Sequence, residues 1–195
     1  MSLDPVPTVG PPTSMPLSEV IRQRSSFPKV GDRAPSRDEL LRLIEAAASI
    51  ADHGSMRPWR LIELRGDARD RLGAAFVEAS GLQGKEAIKL AFKPLRAPLL
   101  IAIVGSYQPN FKVATWEQEA VATGVGHMLS LLLDNAGWGV IWRTGGLTRS
   151  EAVHRLHELA PNEVLLGWLY VGSKPPRAKP ERKKRFDAAR ALTAL

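Results

Sequence analysis

The sequence predicts an α+β fold in which a mixed central sheet is covered by helices, and three observations indicate it. Segments with helical periodicity alternate along the chain with short apolar runs of strand length. The longest helical segment, about 116–135, is apolar around too much of its circumference for a one-sided surface helix. The chain has 195 residues, of which 44% are hydrophobic, so it can bury the core of one domain.

Residues typical of helix ends indicate where the elements in the first half of the chain begin and end. Ser36 and Glu39 form a capping box before a helix, and Asp67 caps another that ends at Gly81 and Gly84. The predicted elements are helices over about 17–24, 36–50, 67–81 and 85–92, and a strand over 59–64.

The second half is more apolar. The run 98–104 reads as a strand buried on both faces, Gly137 closes the long helix, and Ser150 caps a later one. The predicted elements are strands over 98–104, 138–142 and 164–171, and helices over 116–135 and 150–160. His154 and His157 are expected on the solvated face of that last helix.

Composition excludes several classes of protein. The chain has no cysteine, and its four histidines show no metal-ligand spacing, so neither disulfides nor a metal site are expected. The apolar runs are too short to span a membrane, and the proline-rich leader 1–16 is expected to be mobile and is not a signal peptide. We therefore expect a cytoplasmic protein with no membrane partner.

Positive charge is concentrated at one end. The chain carries a net charge of +7, of which +6 lies in residues 174–195. The body, residues 17–173, is close to neutral, so no specific nucleic-acid partner is expected. The basic tail is predicted either to be mobile, ending in a short helix over 187–195, or to be an arm that wraps a partner subunit through Phe186, Leu192 and Leu195.

Four polar segments stand out because they flank predicted helices and strands: IRQRSS at 21–26, DHGSMRPWR at 52–60, WEQE at 116–119 and WRTGG at 142–146. In this order they resemble the flavin-dependent nitroreductase family, and specifically its small single-domain bacterial members. The likeness runs from about residue 17 to about residue 172. It implies an intertwined homodimer with flavin mononucleotide (FMN) at the interface.

The resemblance also implies which residues bind the flavin: Gln23, Arg24, Ser25, His53, Arg143, Thr144 and Gly145. An arginine offers a bidentate fork to the phosphate, and glycine exposes backbone N–H groups to an anion. Gln23 departs from the family pattern, which usually has arginine there. His53 matches a position that approaches the cofactor from the partner subunit.

The implied function is an oxidoreductase that passes hydride from NAD(P)H through FMN to an electron-poor small molecule such as a nitroaromatic or a quinone. Because the cofactor carries the redox chemistry, no catalytic acid, base or nucleophile is assigned. Two alternatives remain open at this point: a flavin carrier or redox sensor without turnover, and an interaction protein that acts through its basic tail.

Overall fold

A computed structural model describes residues 15–175 and 186–195. In these residues one sheet lies between two layers of helices. The strands are β1 (Trp59–Leu64), β2 (Leu99–Ser106), β3 (Trp138–Arg143) and β4 (Glu163–Ser173). The helices are α1 (Leu17–Gln23), α2 (Arg37–Ala47), α3 (Asp67–Ser80), α4 (Gly84–Ala91), α5 (Thr115–Asn135) and α6 (Glu151–Leu156).

The strands lie in the order β1-β2-β4-β3, and each neighbouring pair is antiparallel. The predicted α+β class, a sheet covered by helices, is confirmed. The sheet was expected to be mixed, whereas every pairing in the described residues is antiparallel. Alternation of helices and strands does not reveal strand direction, since the order in which strands pair decides it.

Strand β2 lies at the centre of the core, and its successive side chains point to opposite faces of the sheet. Leu100, Ala102 and Val104 pack with α3 and α6, while the other face packs against α2 and α5. Both faces are therefore buried, as the unbroken apolar run of this strand predicted.

Several predicted boundaries are wrong by a few residues. Helix α2 ends at Ala47 and α6 at Leu156, short of the predicted ends near 50 and 160. Glu158, just past α6, has a φ of 50°, which turns the chain away from the helix axis. The predicted helix over 187–195 is only a 3-10 turn, Ala188–Arg190.

Two expectations fall mainly outside the described residues: the mobile leader, of which 1–14 are not described, and the centre of the basic tail, 176–185. In the described ranges, no helix combines the length and hydropathy that crossing a membrane requires.

Candidate functional site

The loop after β3 is held in one conformation by its own backbone and by α6. Gly145 has φ 131° and ψ 176°, a combination open in practice only to glycine. Its carbonyl accepts hydrogen bonds from the backbone N–H of Thr148 at 3.0 Å and from the Thr148 hydroxyl at 2.8 Å. His154 Nε2 lies 2.9 Å from the Thr148 carbonyl. Residues 144–148 therefore form a fixed rim.

This rim borders a cavity of about 590 Å³, within the range of about 300–1,000 Å³ typical of cofactor sites. The cavity is lined by Phe76, Lys93, Arg96, Ile141, Trp142, Arg143, Thr144, Gly145, Gly146, Leu147, Trp168 and Tyr170. Its floor comes from one face of β3 and β4, where Arg143 lies opposite Trp168 and Ile141 opposite Tyr170.

The cavity is electropositive. Lys93, Arg96 and Arg143 contribute three cations, and none of the described residues that line it is acidic. Arg143 Cζ lies 5.3 Å from the centre of the Tyr170 ring, a cation–π contact. Burial raises the pKa of Tyr170 to about 12, so its phenol is neutral at physiological pH. The charge of the cavity therefore suits an anion.

Two buried N–H groups beside the cavity have no hydrogen-bond partner among the described residues: Arg143 Nε and Trp142 Nε1. A buried donor of this kind costs about 1–3 kcal/mol unless it is satisfied. The Trp142 indole packs away from the cavity against α5, with its ring centroid 4.8 Å from that of His127. Arg143 Nε, by contrast, belongs to a residue that lines the cavity.

The segment Gln23-Arg24-Ser25 begins with the last residue of α1 and leads into residues 27–31, which contact β3 and the end of β4. Phe27 donates its N–H to the Val140 carbonyl at 3.0 Å, and Gly31 donates to Ser173 at 2.8 Å. Because Ser173 pairs with the start of β3, this segment runs antiparallel to the strand. Residues before Phe27 therefore lead toward the Arg143 end.

In the structure the side chains of this segment contact one another. Arg24 Nη1 lies 3.5 Å from Ser26 Oγ, and Ser25 Oγ donates to the Gln23 carbonyl at 3.3 Å. Gln23 is exposed, and Arg24 and Ser25 are half-buried. None of the three lines the cavity.

His53 lies away from this cavity, in the segment before β1, and its side chain contacts the N-terminal turn of α5. Its Nδ1 is 3.1 Å from Glu117 Oε1, and Glu117 Oε2 accepts the Ala114 N–H at 2.8 Å. The Ala114 hydrogen bond, and then the His53 contact, lower the pKa of Glu117. His53 does not line the cavity of its own protomer, so the structure does not bring all seven predicted residues together.

Comparison with known proteins agrees with this architecture. The model of the Nitroreductase family matches residues 21–173. The chain belongs to the nitroreductase family. This assignment covers all four strands and the loop that carries Arg143.

Individual relatives of this nitroreductase-family chain are similar over most of their length. YdjA of Escherichia coli (strain K12), named as an NAD(P)H nitroreductase, is 31% identical over 167 residues, which are 84% of this chain and 91% of YdjA. The crystal structure of a nitroreductase-like family protein from Bacillus cereus has a TM-score of 0.82 at 23% identity, covering 95% of this chain and 99% of that one. A mutant form of NfnB from Sphigopyxis sp. strain HMH, described as FMN- and NADPH-dependent, has a TM-score of 0.73 at 18% identity, covering 92% and 99%.

Of the twelve residues that line the cavity of this nitroreductase-family chain, sequence reasoning assigned three to the site and missed the other nine. Lys93 precedes, and Arg96 ends, a 3-10 turn (Pro94–Arg96) that comes before β2, and Trp168 and Tyr170 lie within β4. The aromatic residues looked like core residues because they alternate along an apolar strand. The two cations had one available signal, their position at the entry to a buried strand. In the described residues no group of side chains could hold a metal ion.

Proposed function

We propose that this protein is an FMN-dependent oxidoreductase that takes hydride from NAD(P)H and passes electrons to an electron-poor acceptor such as a nitroaromatic or a quinone. The observation that carries the proposal is the electropositive cavity beside the Arg143 loop, with aromatic walls and an unsatisfied Arg143 N–H. Two names among the relatives, NAD(P)H nitroreductase and FMN- and NADPH-dependent nitroreductase, support the cofactor pair.

The residues present fit the chemistry of FMN. A flavin is a planar aromatic system with electron-rich carbonyl oxygens, a polar chain and a phosphate. Arg143, Lys93 and Arg96 supply positive charge, and Arg143 Nε supplies a buried donor. Trp168 and Phe76 supply apolar walls. When bound, FMN supplies the ring that accepts and releases hydride.

The protein's own part in the reaction is binding, orientation and electrostatic stabilisation. Cations around the cavity favour the negative charge that a reduced flavin carries. The Gly145 loop is fixed before binding, so little conformational entropy is lost there. Gln23, Arg24 and Ser25 lie in the segment that leads toward the Arg143 end of β3. There Arg24 adds a further cation for the phosphate.

We also propose that the protein is a homodimer whose subunits share each flavin site. In helix α5 nine of the 21 residues are buried, whereas Trp116, Ala120 and Met128 lie exposed on one face at helical spacing. Trp116 is 73% exposed and Met128 37%. This stripe fits the close approach of a second copy. The arrangement would let His53 reach the partner's cavity, which explains why it lies away from its own.

The cofactor proposal is tested by titrating the apoprotein with FMN. Replacing Arg143 with methionine should weaken FMN binding about 10- to 100-fold, because a charge-assisted hydrogen bond contributes roughly 1.5–3 kcal/mol. Arg71→Met is the matched control, since Arg71 is exposed on α3 and pairs with Asp67. If the two variants bound FMN with equal affinity, the FMN site would have to lie elsewhere in the protein. A wild type that binds FMN but does not oxidise NAD(P)H with any acceptor would be a flavin carrier.

Sharing of the site is tested by mixing protomers. Arg24→Ala and His53→Ala should each impair the flavin site. If each site takes Arg24 from one subunit and His53 from the other, a hybrid dimer has one site with both defects and one intact site. Random reassociation should then restore about a quarter of all sites. No recovery of activity on mixing would show that each protomer forms its site alone.

A further inference from the structure

His157 is buried beside the cavity, contrary to the solvated face expected for it. It follows the last residue of α6 and is 4% exposed. Its Nδ1 lies 2.8 Å from the Val153 carbonyl, and its Nε2 lies 3.1 Å from Nε1 of Trp168. The two rings are 5.8 Å apart between centroids. Both ring nitrogens are therefore engaged.

These two contacts leave one protonation state. A carbonyl only accepts hydrogen bonds, so His157 Nδ1 must carry a hydrogen and donate it to Val153. An indole N–H only donates, so His157 Nε2 must be unprotonated and accept it. The imidazole is thus neutral, with its hydrogen on Nδ1. Burial lowers the pKa of His157, in agreement with this state.

Trp168 connects this histidine to the site. Its ring is 3% exposed, lines the cavity, and meets Phe76 edge-on at 5.3 Å between centroids. On the neighbouring strand it lies opposite Arg143. A rotation of the indole would therefore move one aromatic wall of the cavity. It would also change the space that is available to the Arg143 side chain.

We propose that His157 is a positioning residue for the flavin site: as a neutral acceptor it holds the Trp168 indole in the orientation that forms the cavity wall. The inference rests on the proposed function for the identity of the ligand. His157 does not line the cavity and acts only through Trp168.

The surroundings of His157 favour its neutral form. Arg60 of β1 donates to the carbonyls of His157 and Glu158, both at 3.3 Å. Burial is the largest cause that lowers the His157 pKa; the hydrogen bond to the Val153 carbonyl opposes it, and the nearby Arg60 charge lowers the pKa further. The carboxylate of Glu163 on β4 is paired with the same Arg60 at 2.7 Å. The neutral state thus persists at and above pH 6.5, and the contact is lost as pH falls through the lowered pKa.

The contact is tested first without any cofactor. In the apoprotein, the indole N–H resonance of Trp168 should show the downfield shift of a hydrogen-bonded group, and His157→Leu should remove that shift. His157→Gln should retain it, because a glutamine side-chain oxygen can accept the bond. Trp138 serves as an internal control, since its N–H donates to Glu39 and should not respond. An unchanged Trp168 signal in His157→Leu would refute the contact even if the protein binds no flavin.

The positioning role is tested by a double-mutant cycle on the FMN dissociation constant. His157→Leu should raise this constant roughly tenfold, because it leaves a buried N–H without an acceptor. In a Trp168→Phe background, which has no N–H to satisfy, the same change should have less than about a twofold effect. His157→Gln should restore affinity near that of the wild type. Equal losses in both backgrounds would show that His157 supports only the fold.

Discussion

Gly167 is the residue through which the fold most directly constrains the site. It lies in β4 opposite Ile103, next to the β-bulge at which the pairing shifts before Val104, and its φ is 138°. A β-carbon at this position would lie 2.5 Å from the Arg143 carbonyl oxygen and 2.5 Å from Trp142 Nε1. Gly167→Ala should therefore both strain β4 and push the end of β3 away from its present position.

The size of the effect follows from two contributions. A non-glycine residue forced into a sparsely populated positive-φ region costs about 1–3 kcal/mol. Overpacking against backbone costs about 1–3 kcal/mol more. We expect Gly167→Ala to lower the free energy of unfolding by about 2–6 kcal/mol. Gly81→Ala isolates the first contribution, since Gly81 has φ 65° with no atom within 4 Å of the position a β-carbon would take, and should cost only about 1–2 kcal/mol.

Urea denaturation of both apoproteins at one fixed protein concentration measures the difference. Gly167→Ala should also weaken FMN binding, because Arg143 and Trp142 must move, whereas Gly81→Ala should leave FMN affinity unchanged. Equal loss of stability in the two variants, with equal FMN affinity, would refute the reasoning that Gly167 sets the position of the Arg143 loop.

Three further predictions concern pH, assembly and the tail. The hydrogen bond from Arg60 lowers the pKa of Glu163 below its ordinary value of 4.5, so the stability that it contributes is present above pH 4.5 and lost as pH falls through the lowered pKa. The free energy of unfolding of the wild type, measured by denaturation, should accordingly exceed that of Glu163→Gln by a smaller amount below pH 4.5 than above it. A difference between the two proteins that does not change with pH would contradict this role of the Arg60–Glu163 pair. Met128→Glu should lower the mass measured by light scattering from that of a dimer to that of a monomer. Leu82→Glu, at an exposed position just past the end of α3, should leave the dimer mass unchanged. Deleting residues 176–195 should raise the dimer dissociation constant if the tail is an arm, because it removes the exposed Phe186, Leu192 and Leu195; an unchanged constant would favour the mobile tail.

Local signals predicted most of the fold. Half of the predicted Ser36 capping box is present: Ser36 Oγ accepts the Glu39 N–H at 3.2 Å, while the Glu39 carboxylate accepts the Trp138 indole N–H. Gly81 ends α3 in a left-handed conformation, as predicted. The failures occur where tertiary pairing or a turn decides the outcome. Strand direction in the sheet is set by long-range pairing, and the turn at Glu158 ends the chain's path along α6 earlier than predicted. His157 lies in the core instead of on a solvated helix face because its ring packs against Trp168 of β4.

The candidate site can be predicted from the sequence where its residues are contiguous. Arg143, Thr144 and Gly145 form one loop, and all three line the cavity. Lys93 and Trp168 come from distant elements that only the folded sheet brings together, so the sequence does not show that they share a cavity with Arg143. His53 stays a prediction, since its role depends on a second subunit.

The visible absorbance spectrum of the purified protein tests the central claim most directly. If the cavity beside Arg143 binds FMN, the protein should be yellow as purified or after incubation with FMN and gel filtration, and denaturation should release one FMN per chain. A colourless protein that retains no FMN after such reconstitution would contradict the proposed function.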